Sequence, residues 1–150
     1  MPFILGIASS FSLPPYNFFF INFITFPTLF IFFALNHKKK KFFPFFVGWL
    51  FGFGYFISNL NWITNSLTFD QIFSYLIPFA FFLIPAFFGI FYGLVTYLTS
   101  FFKIENNFSS LLIFSSLFAL IEFVRSFILD GFPWNLIVYS WVEHIYFIQI

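Results

Sequence analysis

The sequence predicts an all-α protein, a polytopic bundle of transmembrane helices. Of its 150 residues, 61% are hydrophobic and only 7% are charged, whereas about a quarter of the residues in a soluble domain are charged. The apolar residues form long runs between short polar segments, as in membrane-spanning helices, and not the short alternating strands of a membrane barrel. No soluble fold of this length could bury so much apolar surface.

Five apolar runs are predicted to be spans of one amino-terminal transmembrane domain, residues 1–150. The first is short and ends at Pro14, so it is either a half-inserted helix or a span whose start is clipped. The fourth contains Pro78 and Pro85 and is one kinked span or a span with an interfacial lead-in. A further segment begins after the fifth. The predicted spans are roughly residues 3–13, 18–35, 42–57, 72–102 and 111–129.

Charge and cysteine content exclude several functions. The formal net charge is +1, and the positive charges cluster in one place, at Lys38, Lys39, Lys40 and Lys41. Because the sequence shows no basic face besides this run, we predict no nucleic-acid partner. Cysteine is absent, which excludes disulfides, a thiolate metal site and a thiol nucleophile within this chain. No metal and no cofactor are predicted. The 34 phenylalanines are interpreted as lipid-facing filler, because bilayer insertion scores Phe and Leu alike.

The lysine run also predicts the topology. Lysines in short loops stay in the cytoplasm, so Lys38–Lys41 are placed inside. Alternation of the spans then puts Lys103 inside and Asn61, Asp70 and Trp134 outside. Trp62 is expected at the membrane interface, where tryptophan is enriched.

Two pairs of glycines predict close helix contacts. Gly48 and Gly52 are four residues apart, and so are Gly89 and Gly93, a spacing that lets a neighbouring backbone approach. A dimer interface is one interpretation. Packing within the chain is favoured, because the chain supplies its own partner helices.

Glu122 and Arg125 are the residues that lipid contact does not explain. Three residues apart, they share one face of the last predicted span, about 12 Å and 7 Å below its outer end. Arg125 is near enough to the headgroups to snorkel, whereas Glu122 is not and must pair, become protonated or face a polar cavity. The alternatives are a local ion pair that orients the helix, a headgroup or acyl-donor pocket that opens outward, and a proton relay.

The segment after this span is rich in turn and interface residues. Gly131 can end the helix, Pro133 stiffens a turn, and Trp134 and Tyr139 are expected at headgroup level. The candidate substrate- or lipid-binding residues are therefore Trp62, Glu122, Arg125, Trp134 and Tyr139.

In sequence order, these motifs resemble those of apolipoprotein N-acyltransferases, which are bacterial inner-membrane enzymes. The resemblance runs from about Leu5 to Ser140, and its most specific part is the Gly-Phe-Pro-Trp element after a Glu-Phe-x-Arg helix. The motifs are Pro14-Pro-Tyr-Asn17, Gly48-Trp-Leu-Phe-Gly52-Phe-Gly54, Asn61-Trp62, Glu122-Phe-Val-Arg125, Gly131-Phe-Pro-Trp134 and Tyr139-Ser140.

The resemblance implies a function for the longer protein. Members carry a membrane region followed by a nitrilase-like domain, whose Cys nucleophile takes an acyl chain from a phospholipid as a thioester. The chain then passes to the α-amino group of a lipoprotein's diacylglyceryl cysteine. No catalytic residue carries over, so residues 1–150 are expected to be an inactive fragment, with the Lys38–Lys41 loop in the cytoplasm. The alternatives are a non-enzymatic binding or transport module that uses Glu122 and Arg125, and an assembly subunit.

Overall fold

The computed structural model describes residues 1–36, 42–69, 73–128 and 135–143, and this part of the chain is helical throughout its regular structure. The predicted all-α class is therefore confirmed. Short 3₁₀ helices cover Phe19–Ile21, Leu67–Phe69, Phe73–Leu76 and Ile137–Trp141. The α-helices are α1 (Pro2–Ser10), α2 (Asn22–Asn36), α3 (Phe43–Asn59), α4 (Ile63–Ser66), α5 (Ile77–Thr99) and α6 (Phe108–Phe127).

Three helical segments within the described ranges are long and apolar enough to cross a membrane. They are Phe19–Asn36, Phe73–Thr99 and Phe108–Phe127, and a fourth is added if α3 and the bent segment Ile63–Phe69 form one span. At 9 and 17 residues, α1 and α3 are shorter than the roughly 20 residues of a full span. The total of about five spans stays a prediction.

Local sequence signals account for several helix ends. Pro2, Pro44 and Pro78 each lie in the first turn of a helix, where the missing proline N–H leaves no hydrogen bond unmade. The side chain of Asn107 caps α6 by accepting a hydrogen bond of 2.9 Å from the amide of Ser110.

The paired glycines bring α3 and α5 together. A Cβ atom on Gly48 would collide with the carbonyl oxygen of Tyr92, and one on Gly52 would lie 2.9 Å from the Cα atom of Gly89. At the end of the contact, the Thr96 hydroxyl donates to the carbonyl of Pro44 over 2.7 Å. The two helices are therefore antiparallel and in backbone contact, which confirms packing within the chain.

A second glycine contact lies on the other side of α3, where α1 packs. A Cβ atom on Gly6 would collide with the carbonyl of Phe51, and one on Gly54 would collide with the carbonyl of Phe3. The central helix α3 is thus held between α1 and α5 by small residues on both faces.

Aromatic side chains join α6 to α2 and α5. The rings of Phe26 and Phe118 are 5.0 Å apart, those of Phe30 and Phe114 are 5.6 Å apart, and Tyr92 lies 4.7 Å from Phe118. The two ring pairs make α6 antiparallel to α2. Tyr92 meets Phe118 while Phe88, earlier in α5, meets Arg125, later in α6, so these two helices are antiparallel as well. Consequently α3 and α6 end, and α2 begins, at the same end of the bundle.

Candidate functional site

Glu122 and Arg125 form a buried ion pair on α6. The Arg125 Nη2 donates to Glu122 Oε1 over 2.8 Å, and Arg125 Nε donates to the same oxygen over 3.2 Å. Their side chains are 13% and 2% exposed, respectively. The local ion pair, one of the sequence-based interpretations, is therefore present.

Arg125 is close enough to the end of α6 to snorkel, but its side chain is buried in the bundle instead. Its guanidinium carbon lies 5.1 Å from the ring centroid of Phe56 and 5.8 Å from that of Phe88, within cation–π range. The side chain therefore points into the bundle, toward α3 and α5. The paired carboxylate and the two aromatic faces offset the free-energy cost of removing the guanidinium from water. Without these contacts, the side chain would be expected to extend toward the membrane surface.

The pair also holds the backbone of the segment beyond α6. The Ile137 amide donates to Glu122 Oε2 over 2.9 Å, while Arg125 Nη2 and the Tyr55 hydroxyl donate to the Asn135 carbonyl over 3.4 and 3.3 Å. Asn135 has a φ of 44°, a left-handed conformation that asparagine tolerates better than most residues. We call this arrangement of Tyr55, Glu122, Arg125 and the backbone of residues 135–137 the polar clasp.

The polar clasp is suited to positioning the backbone of residues 135–137. Both carboxylate oxygens of Glu122 accept hydrogen bonds from groups that are themselves fixed, and hydrogen bonds to ionised groups are stronger than those between neutral ones. Its three side chains come from α3 and α6, so the clasp joins two long helices to a segment without long helical structure of its own. This geometry favours a positioning role for Glu122 over a proton relay.

A second set of contacts holds the same segment from the side of α1 and α2. The Ser9 hydroxyl donates to Asn22 Oδ1 over 2.6 Å, and Asn22 Nδ2 donates to the Ser140 hydroxyl over 3.4 Å. Asn17 Nδ2 donates to Glu143 Oε1 over 2.6 Å. The described residues 135–143 are therefore fixed on two sides.

The structure brings together some of the predicted site residues. Glu122 and Arg125 are paired, and Tyr139 lies half-buried in the 3₁₀ helix that begins at Ile137. Trp62 precedes α4, is 51% exposed, and belongs neither to the clasp nor to the cavity described below. Trp134 and Lys38–Lys41 lie outside the described residues.

Sequence reasoning missed Tyr55. The residue is fully buried in α3, and its hydroxyl completes the clasp. The available signal was a tyrosine inside a phenylalanine-rich span, because a buried tyrosine hydroxyl usually finds a hydrogen-bond partner. Tyr92 on α5 carries the same signal and is also fully buried. Its hydroxyl has no partner of good geometry among the described residues.

A cavity of about 590 Å³ lies between α2 and α6, next to the clasp. Glu122 forms part of its wall, and so do residues 136–138. Most of its lining is apolar. The lining residues are Asn22, Phe23, Phe26, Pro27, Leu111, Phe114, Ser115, Phe118, Ala119, Glu122, Phe123, Ser126, Leu136, Ile137 and Val138.

Fold and site together define a class: an all-helical membrane protein whose buried ion pair holds a short segment at one end of the bundle. The chain belongs to the family described as apolipoprotein N-acyltransferase N-terminal domain, whose model matches residues 5–150. The resemblance noted in the sequence is thereby confirmed.

Individual proteins similar to this chain carry the name of the same family. The chain is 35% identical over 146 residues to the apolipoprotein N-acyltransferase of Brucella melitensis and 36% identical over 144 residues to that of Rhizobium etli. These matches cover 92% and 90% of this chain but 27% of each relative. The chain therefore spans about a quarter of the length of these relatives.

Proposed function

We propose that the chain is the membrane module of an enzyme that moves an acyl chain from a phospholipid to the α-amino group of a lipoprotein's diacylglyceryl cysteine. Membership in the family supports the assignment as a membrane module. The name of the relatives, apolipoprotein N-acyltransferase, supports the proposed acyl transfer. The observation that carries the proposal is the polar clasp. A buried ion pair is costly in a membrane and needs a reason, and here its reason is to hold residues 135–137.

The clasp fits a platform for a catalytic domain. Glu122, Arg125 and Tyr55 lie on packed helices, and sites supported by rigid elements are held more accurately than sites on loops. In this role they are positioning residues. The nucleophile that the resemblance implies is a cysteine of a nitrilase-like domain, and this chain contains no cysteine. A transport function is less well supported, because both oxygens of Glu122 are already engaged within the protein.

The proposed location is the bacterial inner membrane, with Lys38–Lys41 and Lys103 in the cytoplasm. In the structure α5 runs antiparallel to both α3 and α6, which is compatible with this alternation. Because the chain has no native cysteine, Lys103→Cys and Asn65→Cys each introduce a single thiol. We expect a membrane-impermeant thiol reagent to label position 65 but not position 103 in cells with a permeabilised outer membrane. Labelling at position 103 but not at position 65 would show that the true topology is the reverse of the proposed one.

The function is tested with a chimera. Residues 5–150 replace the matching region of the Brucella melitensis relative, and the purified chimera is given phospholipid with a labelled acyl chain and a diacylglyceryl-cysteine peptide. We expect transfer by the chimera and none by residues 1–150 alone, because thioester formation needs a thiol.

Two variants of the chimera serve as controls. Glu122→Ala is expected to lower transfer about tenfold or more, since misplacement of a catalytic unit by about 1 Å costs roughly a hundredfold. Leu120→Ala, on the exposed face of α6, is expected to leave it unchanged. A folded chimera without transfer, or turnover by residues 1–150 above a heat-killed control, would contradict the proposal.

A further inference from the structure

Tyr92 is a buried tyrosine at a position where phenylalanine would fill nearly the same space. The chain contains 34 phenylalanines and 7 tyrosines, so phenylalanine is its usual aromatic residue. The side chain of Tyr92 on α5 is fully buried, and aromatic neighbours hold its ring on several sides. Because the ring is fixed, the hydroxyl cannot swing out to bulk water. The neighbouring rings, with centroids 4.7–6.0 Å away, are those of Phe51, Tyr55, Phe56 and Phe118.

The Tyr92 hydroxyl lies beside the polar clasp without making a direct hydrogen bond to it. Of the groups that act on this hydroxyl electrostatically, Glu122 is the strongest, followed by Tyr55 and Arg125. The ring contact of Tyr92 with Phe118, one helical turn before Glu122, explains this position. Among the described residues, however, no acceptor has the geometry of a direct bond to the hydroxyl. A buried hydroxyl without a hydrogen bond is costly, so this one calls for an explanation.

The hydrogen-bonding capacity of Glu122 leaves room for one further donor. An ionised carboxylate offers about four lone-pair sites. The Nη2 and Nε atoms of Arg125 use two of them at Oε1, and the Ile137 amide uses one at Oε2. Within the described part of the chain, one lone-pair site of Oε2 therefore remains, on the carboxylate that is closest electrostatically to the Tyr92 hydroxyl.

One water molecule would satisfy all of these groups at once. It can accept a hydrogen bond from the Tyr92 hydroxyl and donate one hydrogen to Glu122 Oε2. Its other hydrogen can go to the Tyr55 hydroxyl oxygen, which still accepts because its own hydrogen is donated to the Asn135 carbonyl. A buried water typically makes about three hydrogen bonds, and a bond through water is enthalpically nearly as good as a direct one. The donors and acceptors on α3, α5 and α6 therefore match the needs of one water.

We infer that the polar clasp contains a binding site for one buried water molecule, held by Tyr55, Tyr92 and Glu122. Tyr92 is then a further positioning residue, which acts on Glu122 through this water and fixes Oε2 in the orientation that the Ile137 amide requires. The site goes beyond the proposed function, because it depends on the geometry of the clasp whether or not the longer protein transfers acyl chains.

The positioning role is tested with Tyr92→Phe, which removes the hydroxyl and keeps the ring. We expect amide hydrogen exchange at Ile137 in the purified chain to become about three- to tenfold faster, the factor that corresponds to the net contribution of one hydrogen bond. Tyr97→Phe makes the same change near the other end of α5 and should leave the rate unchanged. An unchanged or slower rate in Tyr92→Phe would overturn the inference.

A double-mutant cycle shows whether the effect passes through the carboxylate. In the variant Glu122→Leu/Arg125→Met, the acceptor of the Ile137 amide and the charge that holds it are both removed. Adding Tyr92→Phe to this variant should not change exchange at Ile137, because the coupling between two sites is lost when one of them is absent. Equal acceleration with and without the carboxylate would show that the hydroxyl acts only on packing, which would contradict the site.

The water itself is tested by a crystal structure of the chain, grown in lipid, at a resolution that shows ordered waters. We expect density for one water about 2.5–3.0 Å from each of the Tyr92 hydroxyl, the Tyr55 hydroxyl and Glu122 Oε2. A direct contact between Tyr92 and Glu122 with no density between them would overturn the water site. Neither measurement requires turnover, so a chimera that fails to transfer acyl chains would leave both results unchanged.

Discussion

Replacing Glu122 with alanine is expected to lower the free energy of unfolding by about 3–5 kcal/mol, because it leaves a buried charge without its partner. Arg125 is only 3% exposed and faces aromatic rings, so water cannot replace the lost carboxylate without local opening. The change also removes the acceptor of the Ile137 amide. The measurement is unfolding of the purified chain in mixed micelles by a denaturing detergent.

Two comparisons identify the cause. Phe127→Ala changes a side chain of the same helix that is 67% exposed, and we expect a loss below about 1 kcal/mol. The double variant Glu122→Leu/Arg125→Met removes both charges, and replacing a buried pair with packed apolar residues is often neutral, so much of the stability should return. Equal losses for Glu122→Ala and Phe127→Ala would mean that the pair is not buried in the membrane.

Gly48→Ala is expected to destabilise the chain by about 2–3 kcal/mol, the usual cost of overpacking. The new methyl group would meet the backbone carbonyl of Tyr92 and the hydroxyl of Thr96. A backbone group cannot rotate away, so α3 and α5 must separate. This outweighs the gain of about 1 kcal/mol that alanine has over glycine within a helix. The same unfolding assay applies.

Gly89→Ala is the matched control for Gly48→Ala. It lies on the facing helix of the same contact, and its nearest neighbours, the Phe53 amide nitrogen and the Trp49 carbonyl oxygen, are also backbone atoms, but they would be 3.1 Å from the new Cβ atom. A shift of a few tenths of an ångström relieves that contact, so the packing loss and the propensity gain should nearly cancel. If Gly48→Ala were as mild as Gly89→Ala, the close approach of α3 and α5 would be wrong.

Sequence patterns predicted what depends on local spacing. The apolar runs predicted helices, and the four-residue spacing of Gly48 and Gly52 predicted a close helix contact. The three-residue spacing of Glu122 and Arg125 predicted that they share one helix face, with an ion pair as one of three alternatives. Each of these follows from helix geometry alone.

What the sequence left undetermined depends on contacts between distant residues. The inward direction of Arg125 requires Phe56 and Phe88 beside it, and neither is near Arg125 in the chain. The role of Tyr55 depends on the carbonyl of Asn135, 80 residues away. The contact of Gly6 with α3 was likewise missed, because a lone glycine carries no spacing signal.

The most direct test of the account is amide hydrogen exchange at Ile137, whose N–H donates to Glu122. We predict that exchange is about 10- to 100-fold slower in the native chain than in the Glu122→Leu/Arg125→Met variant, the factor given by roughly 1.5–3 kcal/mol for a hydrogen bond to a charged group. Phe127→Ala should leave the rate unchanged. Equal exchange at Ile137 in the native chain and the double variant, with both folded, would show that Glu122 and Arg125 do not hold this segment.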